Sequence, residues 1–181
     1  RRTEIVPVDM DFSMEDMIAE EEVVLTITHQ GYIKRTALNT YRTQRRGGRG
    51  VQGAMSKEED FVEHLFIANT HNYMLFFTDQ GKCYWLKVYD IPQGGRAARG
   101  RAIVNLIGCD PGEKIEAFVS VKEFDDNHYI AMATRNGIVK KTVLSAYGKP
   151  RKGGIYAIEI RDGDKLIEAR VTNGEHDILL G

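Results

Sequence analysis

The sequence contains few of the residues that would indicate covalent cross-links, metal binding or membrane insertion. It has two cysteines, four prolines and one tryptophan among 181 residues. Cys83 and Cys109 form no CxxC motif and have no histidine at zinc-ligand spacing, which excludes a disulfide scaffold and a structural zinc site. The longest apolar runs, such as residues 73–77, are too short for a membrane span or a signal peptide. We therefore expect reduced thiols, no membrane partner and a cytoplasmic protein.

Neither charge sign dominates, since the formal net charge is −1 at pH 7, and this excludes a uniformly basic nucleic-acid-binding protein. However, the charges are strongly segregated along the chain. Residues 23–54 and residues 129–158 each carry six basic side chains and no acidic one, whereas residues 108–128 carry six acids and two bases. Solvated surfaces normally mix the signs, so this separation predicts a fold with a basic and an acidic region that can steer a polyanion.

Three stretches of the sequence align without gaps. They are VVLTITHQGYIKRT from Val23, YMLFFTDQGKCYWL from Tyr73 and YIAMATRNGIVKKT from Tyr129. Each has two runs rich in apolar, aromatic and β-branched residues around a glycine-containing turn, which predicts a β-hairpin. A further predicted strand follows each hairpin, within DFVEHLFIAN from Asp60, EKIEAFVSV from Glu113 and DKLIEARVT from Asp164. Repeats of about fifty residues are typical of propeller blades.

The repeats predict an all-β protein of four-stranded antiparallel blades. We assign residues 23–72 to the first blade, 73–128 to the second, 129–176 to the third and 177–181 to the start of a further blade. Residues 1–22 carry eight acids, and we expect them to be an acidic leader from a preceding domain. Ser13 is a candidate helix N-cap with Asp16 at capping-box distance, so a short amphipathic helix and a solvated tether both remain open for this leader.

A basic, glycine-bearing connector separates the hairpin from the last strand in every repeat. The connectors are QRRGGRG (connector one, residues 44–50), GGRAARGRA (connector two, residues 94–102) and GKPRKGG (connector three, residues 148–154). Burying the arginines of connector one would be prohibitively costly, because the segment has no carboxylate to pair with them. We therefore expect an exposed loop whose guanidinium groups and glycine backbone bind an anion.

Other chemistries fit the sequence poorly. Residues 48–53 match G-x-G-x-x-G, but no hydrophobic strand precedes them, no helix is expected after them and the chain lacks βαβ alternation, which argues against a dinucleotide site. A P-loop lysine is absent, and the five histidines form no catalytic or metal-binding constellation. Tyr84 and Trp85 occupy the repeat positions of Lys34–Arg35 and Lys140–Lys141, where packing between blades is favoured over base stacking. A propeller-type module whose basic connectors dock an acidic protein partner remains an alternative.

The sequence QRRGGRG resembles the signature box of the C-terminal DNA-wrapping domains of DNA gyrase A subunits. The stretches TITHQGYIKR, YDIPQGGRAARGRAIVNLI, TRNGIVKKTVLS and GGIYAIEIRDGDKLIEARVT extend this resemblance over essentially the whole chain. The resemblance implies a β-pinwheel, a propeller-like disc whose blades exchange strands with their neighbours. It also implies that a basic rim wraps duplex DNA without base readout and gives a type II topoisomerase its negative-supercoiling direction.

The resemblance implies that this segment has no catalytic residue, no metal site and no cofactor, and that it acts within a larger enzyme. The implied partners are double-stranded DNA, the N-terminal domains of gyrase A and the gyrase B subunit in an A2B2 heterotetramer that uses ATP and Mg²⁺. The expected DNA-binding residues are Lys34, Arg35, Arg42, Gln44, Arg45, Arg46, Gly47, Gly48, Arg49, Gly50, Arg96, Arg99, Arg101, Arg135, Lys140, Lys141, Lys149, Arg151 and Lys152.

Overall fold

Strands account for most of the regular structure. The computed structural model describes residues 14–40, 60–95 and 97–177. The strands are β1 (Glu22–Thr28), β2 (Tyr32–Ala37), β3 (Val62–Asn69), β4 (Tyr73–Thr78), β5 (Lys82–Lys87), β6 (Arg101–Ala102), β7 (Ile115–Val121), β8 (Tyr129–Thr134), β9 (Val139–Val143), β10 (Ile155–Tyr156) and β11 (Leu166–Thr172). Helical structure in this part of the chain is limited to α1 (Ile103–Ile107) and 3-10 helices at Met14–Met17, Leu38–Thr40, Val88–Asp90 and Leu144–Tyr147. None of these helices is long and apolar enough to cross a membrane.

Each repeat begins with the hairpin that its sequence predicts. The hairpin turns place glycine at positive φ, at Gly31 (77°), Gly81 (79°) and Gly137 (87°). The threonine that ends the first strand stabilises each turn, because its Oγ1 accepts a backbone N–H four residues later. These bonds run from Tyr32 to Thr28 (3.2 Å), from Lys82 to Thr78 (3.2 Å) and from Ile138 to Thr134 (3.1 Å). The same two features therefore stabilise the turn in each of the three repeats: a local hydrogen bond to threonine, and a glycine that can adopt positive φ.

The hairpins assemble into three antiparallel sheets that exchange strands. The orders are β3-β1-β2-β6, β7-β4-β5-β10 and β11-β8-β9 in the described residues. Strand β6 comes from the second repeat, yet Arg101 and Ala102 pair with Ile33 and Tyr32 in the first sheet. Strand β10 comes from the third repeat and pairs with β5 in the second sheet. The all-β fold of propeller-like blades with exchanged strands is thus confirmed.

The hydrophobic core consists of two clusters, one on each side of the middle sheet. Strand β4 contributes to both clusters, because alternate side chains of a strand point to opposite faces. Met74 and Phe76 pack with the first sheet, whereas Leu75 and Phe77 pack with the third. This two-sided burial explains why the β4 sequence is continuously apolar instead of alternating.

The last part of the acidic leader lies against the turn between β3 and β4. Thr70 Oγ1 donates to the carbonyl of Ala19 at 2.8 Å and accepts the N–H of Glu21 at 3.1 Å. The Nε2 of His71 lies 2.8 Å from the carbonyl oxygen of Ile18, which is a donating contact for the Nε2–H tautomer. Of the two expectations for the leader, a short helix is present as the 3-10 helix Met14–Met17, and the residues that follow it to Glu21 are mostly exposed but hydrogen-bonded to this turn.

Candidate nucleic-acid interface

Connector two is fixed along the edge of the first sheet. The N–H of Gly94 donates to the carbonyl of Arg35 at 2.9 Å, and Thr36 Oγ1 donates to the carbonyl of Gly94 at 3.0 Å. At Gly100, with φ of 91°, a Cβ atom would lie closer than 3.0 Å to the carbonyl oxygen of Ile33. Glycine is therefore required where the connector crosses β2, and the connector has a defined path.

Lys34 does not lie on the exposed rim that the sequence analysis expects. Its residue exposure is 1%, and its Nζ donates to the carbonyl oxygens of Gly95 (3.0 Å) and Ala98 (2.8 Å). Burial lowers the pKa of the Lys34 ammonium. This placement corrects the expectation of an exposed side chain, and we leave Lys34 out of the proposed set of phosphate contacts. Lys34 shares its repeat position with Tyr84, and tyrosine side chains are often largely buried. The alignment was therefore a signal that this position is buried.

Arg35 is half-buried and joins the first sheet to the second repeat. Its Nε donates to the carbonyl of Ile91 at 2.7 Å. The repeat-equivalent Trp85 donates in the same way from Nε1 to the carbonyl of Tyr147 at 2.9 Å. In the first two repeats this position therefore serves contacts with the following repeat, while DNA contact by the remaining donors of Arg35 stays a prediction.

Arg99 and Arg101 lie at the outer end of connector two. Arg101 is exposed on β6. The Arg99 guanidinium stacks 3.8 Å from the centre of the Tyr32 ring and donates to Gln30 Oε1 at 2.5 Å. It also lies 3.7 Å from the buried carboxylate of Asp60, so part of its charge is neutralised. The sequence pattern did not indicate Gln30 and Tyr32, because Gln30 carries no charge and the position of Tyr32 holds Lys82 and Ile138 in the other repeats.

Connector three has the same placement on the second sheet. Gly154 has φ of 70°, and a Cβ there would lie 2.9 Å from the carbonyl oxygen of Cys83. The connector carries exposed Lys149, Arg151 and Lys152 and no acid. These three cations are thus presented by a backbone that is fixed at its far end against β5.

The remaining basic residues predicted for the third repeat are exposed, and each of them contacts another residue of the protein. The Arg135 guanidinium donates to the carbonyl of Gly163. Lys140 Nζ donates to the carbonyl of Ala157 at 2.6 Å, and Lys141 Nζ lies 4.7 Å from the centre of the Tyr129 ring. All three residues are exposed, and their contact with phosphate stays a prediction. Arg42, Arg96 and residues 44–50 lie outside the described residues.

The two edges of the first two sheets differ in charge. The edge strands β6 and β10 carry basic connectors, whereas the opposite edge strands β3 and β7 carry Glu63 and Glu116. These opposite edge strands approach one another, because Phe66 on β3 stacks on Phe118 on β7 with ring centres 5.6 Å apart. In the first two sheets the basic connectors and these glutamates therefore lie at opposite edges.

The acidic side chain that contacts Tyr84, the residue under connector three, belongs to a structural network. Tyr84 Oη donates to Glu113 Oε2 at 2.8 Å, and Lys82 lies 3.6 Å from Glu113 Oε1. Burial and the Glu113 carboxylate raise the pKa of Tyr84 to about 12, which keeps it a neutral donor.

Both cysteines are unpaired thiols, and burial raises the pKa of Cys109 to about 11. Among the described residues, no three His, Cys, Asp or Glu side chains are grouped to hold a metal ion.

The chain matches known proteins over nearly its whole length. A family model described as the DNA gyrase C-terminal domain, a beta-propeller, matches residues 22–69, 72–122 and 128–173. The DNA gyrase A subunit of Clostridium acetobutylicum is 51% identical over 180 residues, which cover 99% of this chain and 22% of that protein. The corresponding gyrase protein of Mycolicibacterium smegmatis is 49% identical, with 99% and 21% covered. The chain thus spans about a fifth of the length of these relatives.

Solved structures show the same fold. The C-terminal domain of DNA topoisomerase IV superposes with a TM-score of 0.73 and 32% identity, covering 87% of this chain and 48% of that chain. A DNA gyrase A C-terminal domain superposes with a TM-score of 0.64 and 24% identity, covering 84% and 48%. Because the family match repeats once per blade and the relatives are gyrase A proteins, this chain belongs to the family of DNA gyrase C-terminal domains.

Proposed function

We propose that this chain binds duplex DNA without base preference and wraps it along its basic connectors. The observation that carries the proposal is the recurrence of an acid-free connector at the same edge of successive sheets, with exposed cations at Arg101, Lys149, Arg151 and Lys152. Backbone phosphates recur along a duplex whatever its sequence, so regularly placed cations on loops neutralise phosphates and need not read base edges.

Wrapping would give the complete enzyme its direction of action. A duplex that follows the connectors from one blade to the next is bent, and the bend presents a neighbouring DNA segment to the cleavage site with a defined crossing sign. In this proposal the chain is the DNA-handling part of a gyrase A protein. The N-terminal domains of gyrase A cleave DNA, gyrase B supplies ATP hydrolysis with Mg²⁺, and an A2B2 heterotetramer works in the cytoplasm.

The first test is the salt dependence of duplex binding by the gyrase A protein that contains this chain. Counterion release predicts that log affinity falls linearly with log salt, with a slope of roughly −0.9 for each neutralised phosphate. Neutralising one exposed cation, as in Lys152→Gln, should make the slope shallower by about one. Duplexes of equal length and different sequence should bind equally well, and a strong preference among them would count against the proposal.

The second test measures the path of the DNA. Nicked plasmid is resealed by ligase while the protein is bound, and the topoisomers are separated on a gel. Wrapping should trap writhe of one sign in proportion to bound protein. If no writhe is trapped and no duplex binds at low salt, the proposal fails, and the connectors then fit the alternative of a module that docks an acidic protein.

A further inference from the structure

We propose that Lys34 is a positioning residue that holds the turn of residues 95–98 and thereby presents the arginines of connector two to the duplex. The inference rests on the function proposed above and adds a residue that makes no phosphate contact itself. Its starting point is the burial of a lysine in the middle of a basic surface: Lys34 is 1% exposed, directly beneath the connector that carries Arg99 and Arg101.

The Lys34 side chain closes the turn from within. The N–H of Ala98 donates to the carbonyl of Gly95 at 3.1 Å, and this bond between Gly95 and Ala98 closes the turn. Lys34 Nζ donates to that same Gly95 carbonyl oxygen at 3.0 Å and to the Ala98 carbonyl oxygen at 2.8 Å. The stem of Lys34 also packs under the loop, because a Cβ at Gly94 would lie 3.4 Å from its Cδ. One side chain thus ties both ends of the turn to β2.

A buried ammonium is retained only where it has partners, since desolvating a charge is costly. The carbonyl oxygens of Gly95 and Ala98 are among the partners of Lys34, so these two hydrogen bonds help to offset the cost of burying Lys34 while the turn keeps this shape. The lysine and the turn therefore stabilise each other. A connector that is already ordered loses less conformational entropy when it binds DNA, and its arginines reach phosphates with the spacing fixed in advance.

The second sheet shows that this support is specific to connector two. The repeat-equivalent residue is Tyr84, whose ring lies under connector three, where a Cβ at Gly154 would lie 3.0 Å from the ring. Tyr84 directs its hydroxyl to Glu113, away from the connector carbonyls. Connector three is thus supported by packing, whereas connector two is supported by hydrogen bonds from a cation. Replacing Lys34 should therefore change one connector and leave the other in place.

The experiment uses the gyrase A protein with Lys34→Met, which keeps the apolar stem and removes every donor. The matched control is Lys140→Met, the same change at the repeat-equivalent lysine, which is exposed. For Lys34→Met we expect duplex affinity to fall roughly tenfold at physiological salt and the salt slope to become shallower by about two, because the backbone before Arg99 and Arg101 is no longer tied to β2 at Gly95 and Ala98. Lys140→Met should make the slope shallower by at most about one.

Amide hydrogen exchange separates positioning from general destabilisation. In the unaltered protein, bound duplex should protect the amides of residues 94–102 from exchange. In Lys34→Met those amides should exchange faster without DNA and gain no protection with it, while the amides of β8 and β11 exchange as before. A uniform rise in exchange over all sheets would assign Lys34 a purely structural role and overturn the inference.

The remaining outcomes are also decisive. If Lys34→Met binds with unchanged affinity and slope while Lys152→Gln weakens binding, the inference is wrong and the proposed function stands. If the slope changes by about one and connector exchange is unaltered, Lys34 contacts a phosphate directly, and the positioning role is refuted. If neither Lys34→Met nor Lys152→Gln alters duplex binding, the proposed function itself fails.

Discussion

Gly81 and Gly137 occupy the same turn position in successive repeats but have different surroundings. Their φ angles are 79° and 87°, so both require a conformation that L-residues with a Cβ rarely adopt. A Cβ at Gly137 would have no atom within 4 Å, whereas one at Gly81 would lie closer than 3.0 Å to the carbonyl oxygen of Ile158. The carbonyl of Gly81 also accepts the N–H of Ala157 at 2.8 Å. Gly81 therefore allows close approach of the third repeat to the second sheet.

This difference predicts unequal costs for the same substitution. Gly137→Ala should lower the free energy of unfolding by about 1 kcal/mol, which is the cost of a left-handed alanine. Gly81→Ala should lower it by roughly 3 kcal/mol, because backbone must also move at the crossing. Chemical denaturation monitored by circular dichroism measures both values. Equal losses in the two variants would show that the contact with Ile158 contributes nothing.

The described end of the leader, residues 15–21, is docked on the turn between β3 and β4, and Lys87 is the side chain that anchors Glu15. Lys87 Nζ donates to Glu15 Oε1 at 2.7 Å and to the carbonyl of His71 at 2.9 Å. The same ammonium lies 3.9 Å from the centre of the Tyr73 ring. Further along, Thr70 and Glu21 exchange hydrogen bonds that do not involve Lys87. The leader is thus held at two places on one turn.

Lys87→Met should release the first anchor and leave the second. We expect the Ile18 amide, which donates to the carbonyl of Glu15 at 3.1 Å, to exchange roughly fivefold faster, as loss of about 1 kcal/mol would give. The Glu21 amide should keep its protection. Glu15→Gln, which retains a hydrogen-bond acceptor, should have a smaller effect. Unchanged exchange at Ile18 in both variants would show that the ion pair does not hold the leader.

Connectors two and three lead into the edge strands of the first and second sheets, and connector one belongs to this series by sequence. Its residues lie outside the described part of the chain, so its role rests on the repeat pattern and on the resemblance. Bending a short duplex costs on the order of 1–6 kcal/mol, which contacts along the path must offset. Loss of contacts at one end of the path should therefore harm wrapping more than it harms binding.

We predict that the triple variant Arg45→Ala, Arg46→Ala and Arg49→Ala loses negative supercoiling in the assembled enzyme but keeps ATP-driven strand passage. The stability change should stay within roughly ±0.5 kcal/mol for each site, as for exposed residues. Plasmid topoisomer gels and thermal melting measure the two effects. As a control with equal loss of charge, alanine at Lys149, Arg151 and Lys152 should weaken binding and retain more supercoiling. Normal supercoiling by the first variant would refute the proposal.

Several features were accessible from the sequence because they depend on neighbouring residues. The hairpins, their glycine turns and the basic connectors each follow from a local pattern, and the structure places the hairpins as expected. The interface was predicted less well. Lys34 and Lys149 are both lysines of acid-free segments, yet one is buried and the other exposed. The difference is that the connector of the next repeat covers Lys34, and no local pattern contains that segment.

The sequence by itself determined an all-β chain of repeated hairpins with charge segregated by segment, since strand propensity, turn chemistry and charge are properties of short stretches. Tertiary structure alone decided which repeat completes which sheet. Strand β6 pairs with β2 across more than sixty residues, and both faces of β4 are buried because sheets cover it on either side. Which strands pair and which faces are buried depends on the free energy gained when one segment covers another that is distant in sequence. Both are therefore decided only when the blades pack.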